Sequence, residues 1–159
     1  MIEEKYRALS ELALTSVPGI RRTGLRIVAL RDRYARAVMP FEGNINHVGM
    51  MYAGSLFSLG EFAGGIIYLV SLNIHKYFPI VKQVTIRFRR PALTDVTMEV
   101  MMTGEEAVRI EAEAERDGKA DFTLNLDLKD AHEVTVAEVE GIWQVRVITE
   151  EMRRDLDIP

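Results

Sequence analysis

The chain has 159 residues, the size of one domain, which argues against two catalytic domains and leaves little room to wrap an elaborate site. A hydrophobic fraction of 48% and a charged fraction of 28% are those of a globular protein rather than a disordered one. A formal net charge of −4 is a poor basis for nucleic-acid binding, and the absence of cysteine excludes disulfides, thiolate metal sites and a cysteine nucleophile.

The start, Met1-Ile2-Glu3-Glu4-Lys5, is acidic and has no apolar core of the kind a signal peptide carries, so a cytoplasmic protein is expected. Residues 2–16 read as an amphipathic helix with Ile2, Tyr6, Leu9, Leu12 and Ala13 on one face, and Val17-Pro18-Gly19 stops it, closing an N-terminal segment 1–17. Residues 25–31 and Tyr34–Met39 read as two strands turning at Asp32-Arg33. Residues 41–49 form a loop with two asparagines and two glycines.

Residues 51–72 then read as a long helix, within an apolar stretch, 50–72, that is long enough to span a bilayer. Glu61 lies at its middle, where an acid costs roughly 2.5–3.5 kcal/mol on insertion scales. Ser55, Ser58 and the glycines Gly54, Gly60, Gly64 and Gly65 also interrupt it. Small residues occur in membrane helices too, but a helix enclosed by the core of a soluble domain is the favoured reading.

Strand patterns follow. Val84, Ile86 and Phe88 share one face, Val96, Met98, Val100 and Met102 alternate, and Phe122, Leu124, Leu126 and Leu128 alternate with polar residues. The last strand runs to about residue 148 after a turn at 130–132, and its apolar parity slips by one, which predicts a bulge near 137–138. Residues 105–116 alternate like a strand but have helical composition, with Thr103 and Glu106 as a capping box and Gly118 as a stop. A helix is expected there. A central helix apolar nearly all round needs cover on most sides. The expected class is therefore α+β: a curved, mostly antiparallel sheet of five to six strands wrapped around one helix, with the helix glycines where the sheet comes closest.

The chemistry is expected where the loop enters that helix, from Asn44 to Glu61. The first N–H groups of a helix lack intrahelical partners and lie at its positive end, so they can bind an anion or polarise a carbonyl oxygen. Small residues at Ala53, Gly54 and Ser55 would let a ligand approach the backbone. Glu61, alone on an apolar helix, is either a hydrogen-bonded buried acid or a general base or nucleophile, and burial should raise its pKa unless a partner exists. His47 is a possible base or a loop residue bonded to backbone. Asn44 and Asn46 are expected to satisfy the loop internally. Ser55 and Ser58 show no Ser-His-Asp arrangement, and three scattered histidines without a spaced motif argue against a metal site. Arg87-Phe88-Arg89-Arg90-Pro91 reads either as a solvated strand face or as phosphate contacts.

Taken together, residues 20–148 resemble the hotdog-fold acyl-CoA thioesterase superfamily, in particular its PaaI-like members. Those carry an Asn and a Gly in the loop, His-Gly-Gly at the helix start and an Asp or Glu further along the helix. Asn46 and Gly49 match the loop, Tyr52-Ala53-Gly54 stands in place of His-Gly-Gly, and Leu56-Phe57-Ser58-Leu59-Gly60-Glu61 matches the acidic turn. Arg89-Arg90-Pro91 resembles the family's basic strand ending. Tyr52 and Ala53 depart from the pattern and make the chain similar to an uncharacterised, thioesterase-like branch. The resemblance implies a single hotdog domain over 1–159 that hydrolyses acyl-CoA or acyl-carrier-protein thioesters. Glu61, Asn46, Ala53, Gly54 and Tyr52 would be its catalytic groups, and His47, Gly49, Ser55, Ser58, Arg87, Arg89 and Arg90 its substrate contacts. It also implies no cofactor beyond the CoA of the substrate, and a homodimer or dimer of dimers whose site forms between protomers. The alternative is a non-catalytic module that binds acyl-CoA or another lipid-like ligand; a hotdog dehydratase lacks its His-containing signature here.

Overall fold

Two of the helix glycines fix how closely the sheet meets the central helix, α3 (Ala53–Ser71). In the computed structural model, which describes residues 1–155, a β-carbon on Gly60 would lie 2.8 Å from a methyl of Val139. One on Gly64 would lie 2.1 Å from Nε1 of Trp143. The sheet therefore touches helix backbone at two successive turns, as expected from the glycine spacing. Trp143 stacks on Phe122 with ring centroids 6.2 Å apart, and both are buried. By length and composition α3 is long and apolar enough to cross a bilayer; here most of its residues are buried against the sheet.

Among the described residues, six strands form one sheet: β1 (Arg26–Arg31), β2 (Tyr34–Met39), β3 (Tyr77–Phe88), β4 (Val96–Met101), β5 (Lys119–Asp130) and β6 (Thr135–Val147). Their order is β1-β2-β4-β5-β6-β3 and every pairing is antiparallel. β4 and β5 pair only from Val96↔Asp130 to Met98↔Leu128, so the sheet splays beyond that point and curls around the helix. This is the expected α+β hotdog architecture.

The helix expected over 2–16 is shorter. Ile2 bridges Leu30 and the Glu3 N–H donates to the Leu30 carbonyl, because β1 is an edge strand with free backbone groups. A 3₁₀ turn (Glu4–Tyr6) then leads into α1 (Arg7–Thr15), on which Leu12 is exposed. Pro18 does end that helix, but it also starts α2 (Pro18–Thr23), where its missing N–H costs nothing at the first position; Gly24 closes α2 with φ of 71°.

β3 is longer than its 84–89 pattern. A register irregularity between Val81 and Gln83 shifts the apolar parity and hides the first half, and Pro79 is tolerated because β3 lies at the sheet edge. The bulge expected near 137–138 lies one residue earlier. Leu128 faces Ala137 and Lys129 faces Thr135, leaving Val136 as the extra residue, with Val136 and Ala137 buried side by side. Helix α4 (Gly104–Asp117) forms as its cap predicts: Glu106 N–H donates to Thr103 Oγ1 (3.1 Å), and Ala107, Ile110 and Ala114 are buried on one face. A final short helix, α5 (Glu150–Asp155), was not expected and buries nothing.

Candidate active site

The loop before α3 is tied from inside. Asn46 Oδ1 accepts from the N–H groups of Val48 (3.0 Å) and Met50 (3.1 Å), and the Asn46 N–H donates to the Met50 carbonyl (2.7 Å). This tight loop needs Gly49 at φ of 83°, a conformation L side chains rarely adopt. Asn46 and Gly49 thus shape one turn. His47 lies exposed on it and makes no hydrogen bond among the described residues.

Asn44 anchors the same loop to the rest of the fold. It is 6% exposed, and its Nδ2 donates to the carbonyls of Thr23 (2.7 Å) and Pro40 (2.9 Å). Its Oδ1 accepts from Ser55 Oγ (2.8 Å), and its carbonyl accepts from the Tyr52 N–H (2.7 Å). Ser55 is therefore buried in a structural bond rather than turned toward solvent. Ser58 Oγ donates to the Gly54 carbonyl (2.8 Å), one turn back along α3, and not to Glu61.

The N–H groups of Ala53 and Gly54, at the start of α3, have no acceptor among the described residues. They are the free donors expected there. Tyr52 precedes them and is 58% exposed. A β-carbon on Gly54 would lie 2.3 Å from Cε1 of Tyr52, so the ring folds over the first turn where a larger residue would displace it.

The end of β3 is brought against this helix start by the Val136 bulge. The Val136 carbonyl accepts from the N–H groups of Arg89 (2.8 Å) and Arg90 (3.2 Å), turning the chain out of the sheet at Pro91. The Ala92 carbonyl then accepts from the Met51 N–H (2.9 Å). The result is an open cavity of about 300 Å³ lined by Asn46, Met50, Ala53, Leu56, Phe88 and the Arg89–Arg90 pair, among others. Arg89 is held by Glu138 (2.6 Å), whose carboxyl that guanidinium keeps below the usual carboxylate range. Arg87 pairs across the strands with that same Glu138 and lies beside Glu140, outside the cavity. Of the three arginines, Arg89 and Arg90 line the cavity at the helix start and Arg87 does not.

Glu61 is two turns further along α3. It lies half-buried in line with Ala53, with Phe57, which is 41% exposed, and with Gly65, beside which a β-carbon would meet nothing within 4 Å. It forms no hydrogen bond or ion pair among the described residues, and burial pushes its carboxyl above the ordinary range. Among the described residues no cluster of His, Asp and Glu is arranged to hold a metal ion. Sequence reading missed Met50, Leu56 and Phe88 as cavity walls. Phe88 alternates with Val84 and Ile86 on one strand face, yet it is 51% exposed at the strand end, and its place beside Arg89 was the available signal.

A curved antiparallel sheet around one apolar helix, with a glycine loop at the helix start and a lone carboxylate further on, defines a thioesterase-like protein of the hotdog fold. The chain belongs to the DUF4442 family, a domain of unknown function, whose model matches residues 5–145. It is 40% identical to a Pseudomonas aeruginosa protein of unknown function described as a probable thioesterase, with a TM-score of 0.85, covering 89% of this chain and 95% of that one. A Haemophilus influenzae thioesterase shares the fold at 15% identity and a TM-score of 0.70, over 89% of this chain and 90% of that one. A Chlorobaculum tepidum protein of unknown function does so at 17% identity and a TM-score of 0.78, over 89% and 94%. No functionally curated protein matches the chain in sequence.

Proposed function

We propose that the protein hydrolyses acyl-CoA or acyl-carrier-protein thioesters. The observation that carries this reading is Glu61: a half-buried carboxyl without a partner, raised in pKa, on the helix face that begins with the two free N–H groups. In the proposed reaction the thioester carbonyl oxygen meets the N–H groups of Ala53 and Gly54. Glu61 takes a proton from water as the water oxygen bonds to the carbonyl carbon, and those N–H groups hold the oxyanion. Collapse of the tetrahedral intermediate breaks the C–S bond, the thiolate leaves and is protonated, and the carboxylic acid is the second product. Direct attack by Glu61, with later hydrolysis of the anhydride, uses the same geometry. Asn46 orients water or substrate, Tyr52 closes the first turn or adds a donor, and Arg89 and Arg90 meet the CoA phosphates.

The working unit in this reading is a homodimer or a dimer of dimers. Ala53 and Glu61 are separated by roughly 12 Å along one helix, from a rise of about 1.5 Å per residue, too far to act on one carbonyl. Glu61 of the partner subunit would face the helix start instead. The uncovered stripe of Tyr52, Phe57 and Gly65 and the open edge of β3 favour such a partner. That same separation supports a second reading, a non-catalytic module that binds acyl-CoA.

The test follows thiol release from short, long and aromatic acyl-CoAs with the native protein and Glu61→Gln. Turnover that the substitution abolishes is expected. Full activity in Glu61→Gln would sink the mechanism, and tight acyl-CoA binding without turnover would establish the second reading.

A further inference from the structure

We infer that Asn44 is the positioning residue of this site and acts through Ser55. The inference rests on the reading of Ala53 and Gly54 as oxyanion donors. Three parts of the fold converge on one buried side chain: the end of α2 through the Thr23 carbonyl, the end of β2 through the Pro40 carbonyl, and the first turn of α3 through Ser55 Oγ. The two grips of Asn44 on α3 fall at Tyr52, whose N–H it accepts, and at Ser55, whose hydroxyl it accepts. These residues bracket Ala53 and Gly54. The pair of free N–H groups is therefore held from both sides by a single residue that itself faces away from the cavity.

The arrangement has a chemical reason. Oxyanion donors act only if their direction is fixed before charge develops, so that nothing must reorganise at the moment of reaction. A helix start entered from a glycine-bearing loop is prone to fray. Asn44 uses both amide hydrogens and the carbonyl oxygen of its side chain, so it cannot rotate without breaking several bonds. An aspartate would keep the acceptor for Ser55 but present lone pairs to the Thr23 and Pro40 carbonyls. A leucine of similar volume would leave all three partners unpaired.

The test uses the full chain with Ser55→Ala, which removes one grip, and Asn44→Ala, which removes the side-chain anchor. Kinetics on the best acyl-CoA and ¹⁵N order parameters of the Ala53 and Gly54 amides are measured in each. Expected are a kcat lower by about tenfold in Ser55→Ala and on the order of 100-fold in Asn44→Ala, with KM unchanged. Amide order parameters should fall from about 0.85 toward roughly 0.6 at Ala53 and Gly54, but not in β5 or β6. Should Asn44→Ala not fold, Ser55→Ala alone decides. A rise in KM with kcat unchanged, or unmoved order parameters in Ser55→Ala, overturns the inference. If the native protein turns over no thioester, the hydrolase reading fails by itself, and the order parameters still decide whether Asn44 positions this turn.

Discussion

Trp143 presses its indole edge onto Gly64 so closely that a methyl group could not be inserted between them: the β-carbon would lie 2.1 Å from Nε1. Trp143 is 1% exposed and its N–H has no acceptor among the described residues. Gly64→Ala is expected to force strand and helix apart at an overpacking cost of about 1–3 kcal/mol. Urea denaturation followed by the fluorescence of Trp143, the single tryptophan, measures it. An unchanged midpoint would show that the contact is not tight.

Glu61 couples stability to pH. Its folded pKa is raised by burial, so the folded state holds this proton more firmly than the unfolded chain does. Stability from this group is present below the ordinary glutamate value of 4.5 and is lost as pH rises through the folded pKa. Glu61→Gln should therefore match the native protein in acid and exceed it at neutral pH, while losing turnover. Thermal denaturation across that range is the measurement; equal stability at neutral pH would show that burial does not penalise the ionised Glu61 carboxyl.

Gly49 lies at φ of 83° with open space around the position of a β-carbon. Gly49→Ala meets no clash, so its cost is conformational, roughly 1–2 kcal/mol. The same change loosens the Asn46 turn and should lower thioester turnover more than it lowers the melting temperature of a domain this size. Turnover at native levels would separate Asn46 from the site.

Phe57 lies midway between Ala53 and Glu61 on the open stripe of α3. On the proposed dimer and its hydrolysis, Phe57→Asp is expected to reduce the sedimenting mass toward one 18.0 kDa chain and to abolish turnover together with association. A dissociated but fully active chain would refute the shared site.

Thr103 provides a control. Its hydroxyl caps α4 at a position remote from the cavity, and Thr103→Ala should cost about 1 kcal/mol while turnover per folded molecule stays the same.

The elements that read clearly from sequence were those whose pattern and environment agree. Tyr34–Met39 alternates in a strand paired on both sides, and α4 follows from Thr103, Glu106 and Gly118 despite its strand-like alternation. The first half of β3 was hidden because the irregularity at residues 81–83 breaks the period on which such reading depends. At the site, Asn46, Gly49, Ala53, Gly54 and Glu61 stood out by residue type and spacing. The links made by Asn44 did not, because its partners Thr23 and Pro40 are backbone carbonyls, which carry no sequence signal. Nor did the presence of Arg89 and Arg90, but not Arg87, in the cavity wall, which depends on where the chain leaves the sheet.

That point of departure is set from a distant part of the chain. Val136, the unpaired extra residue of β6, supplies the carbonyl that collects both arginine N–H groups. Because strand side chains alternate with period two, deleting this one residue would exchange the outward and inward sets of the strand beyond it. The arginine corner would then be re-aimed with no change to any residue in it. The 131–134 turn can vary in length only if that register survives. The placement of Arg89 and Arg90 is thus exposed to insertions and deletions far along the chain, while among point substitutions on β6 those at Glu138, which holds Arg89, are the ones expected to disturb it.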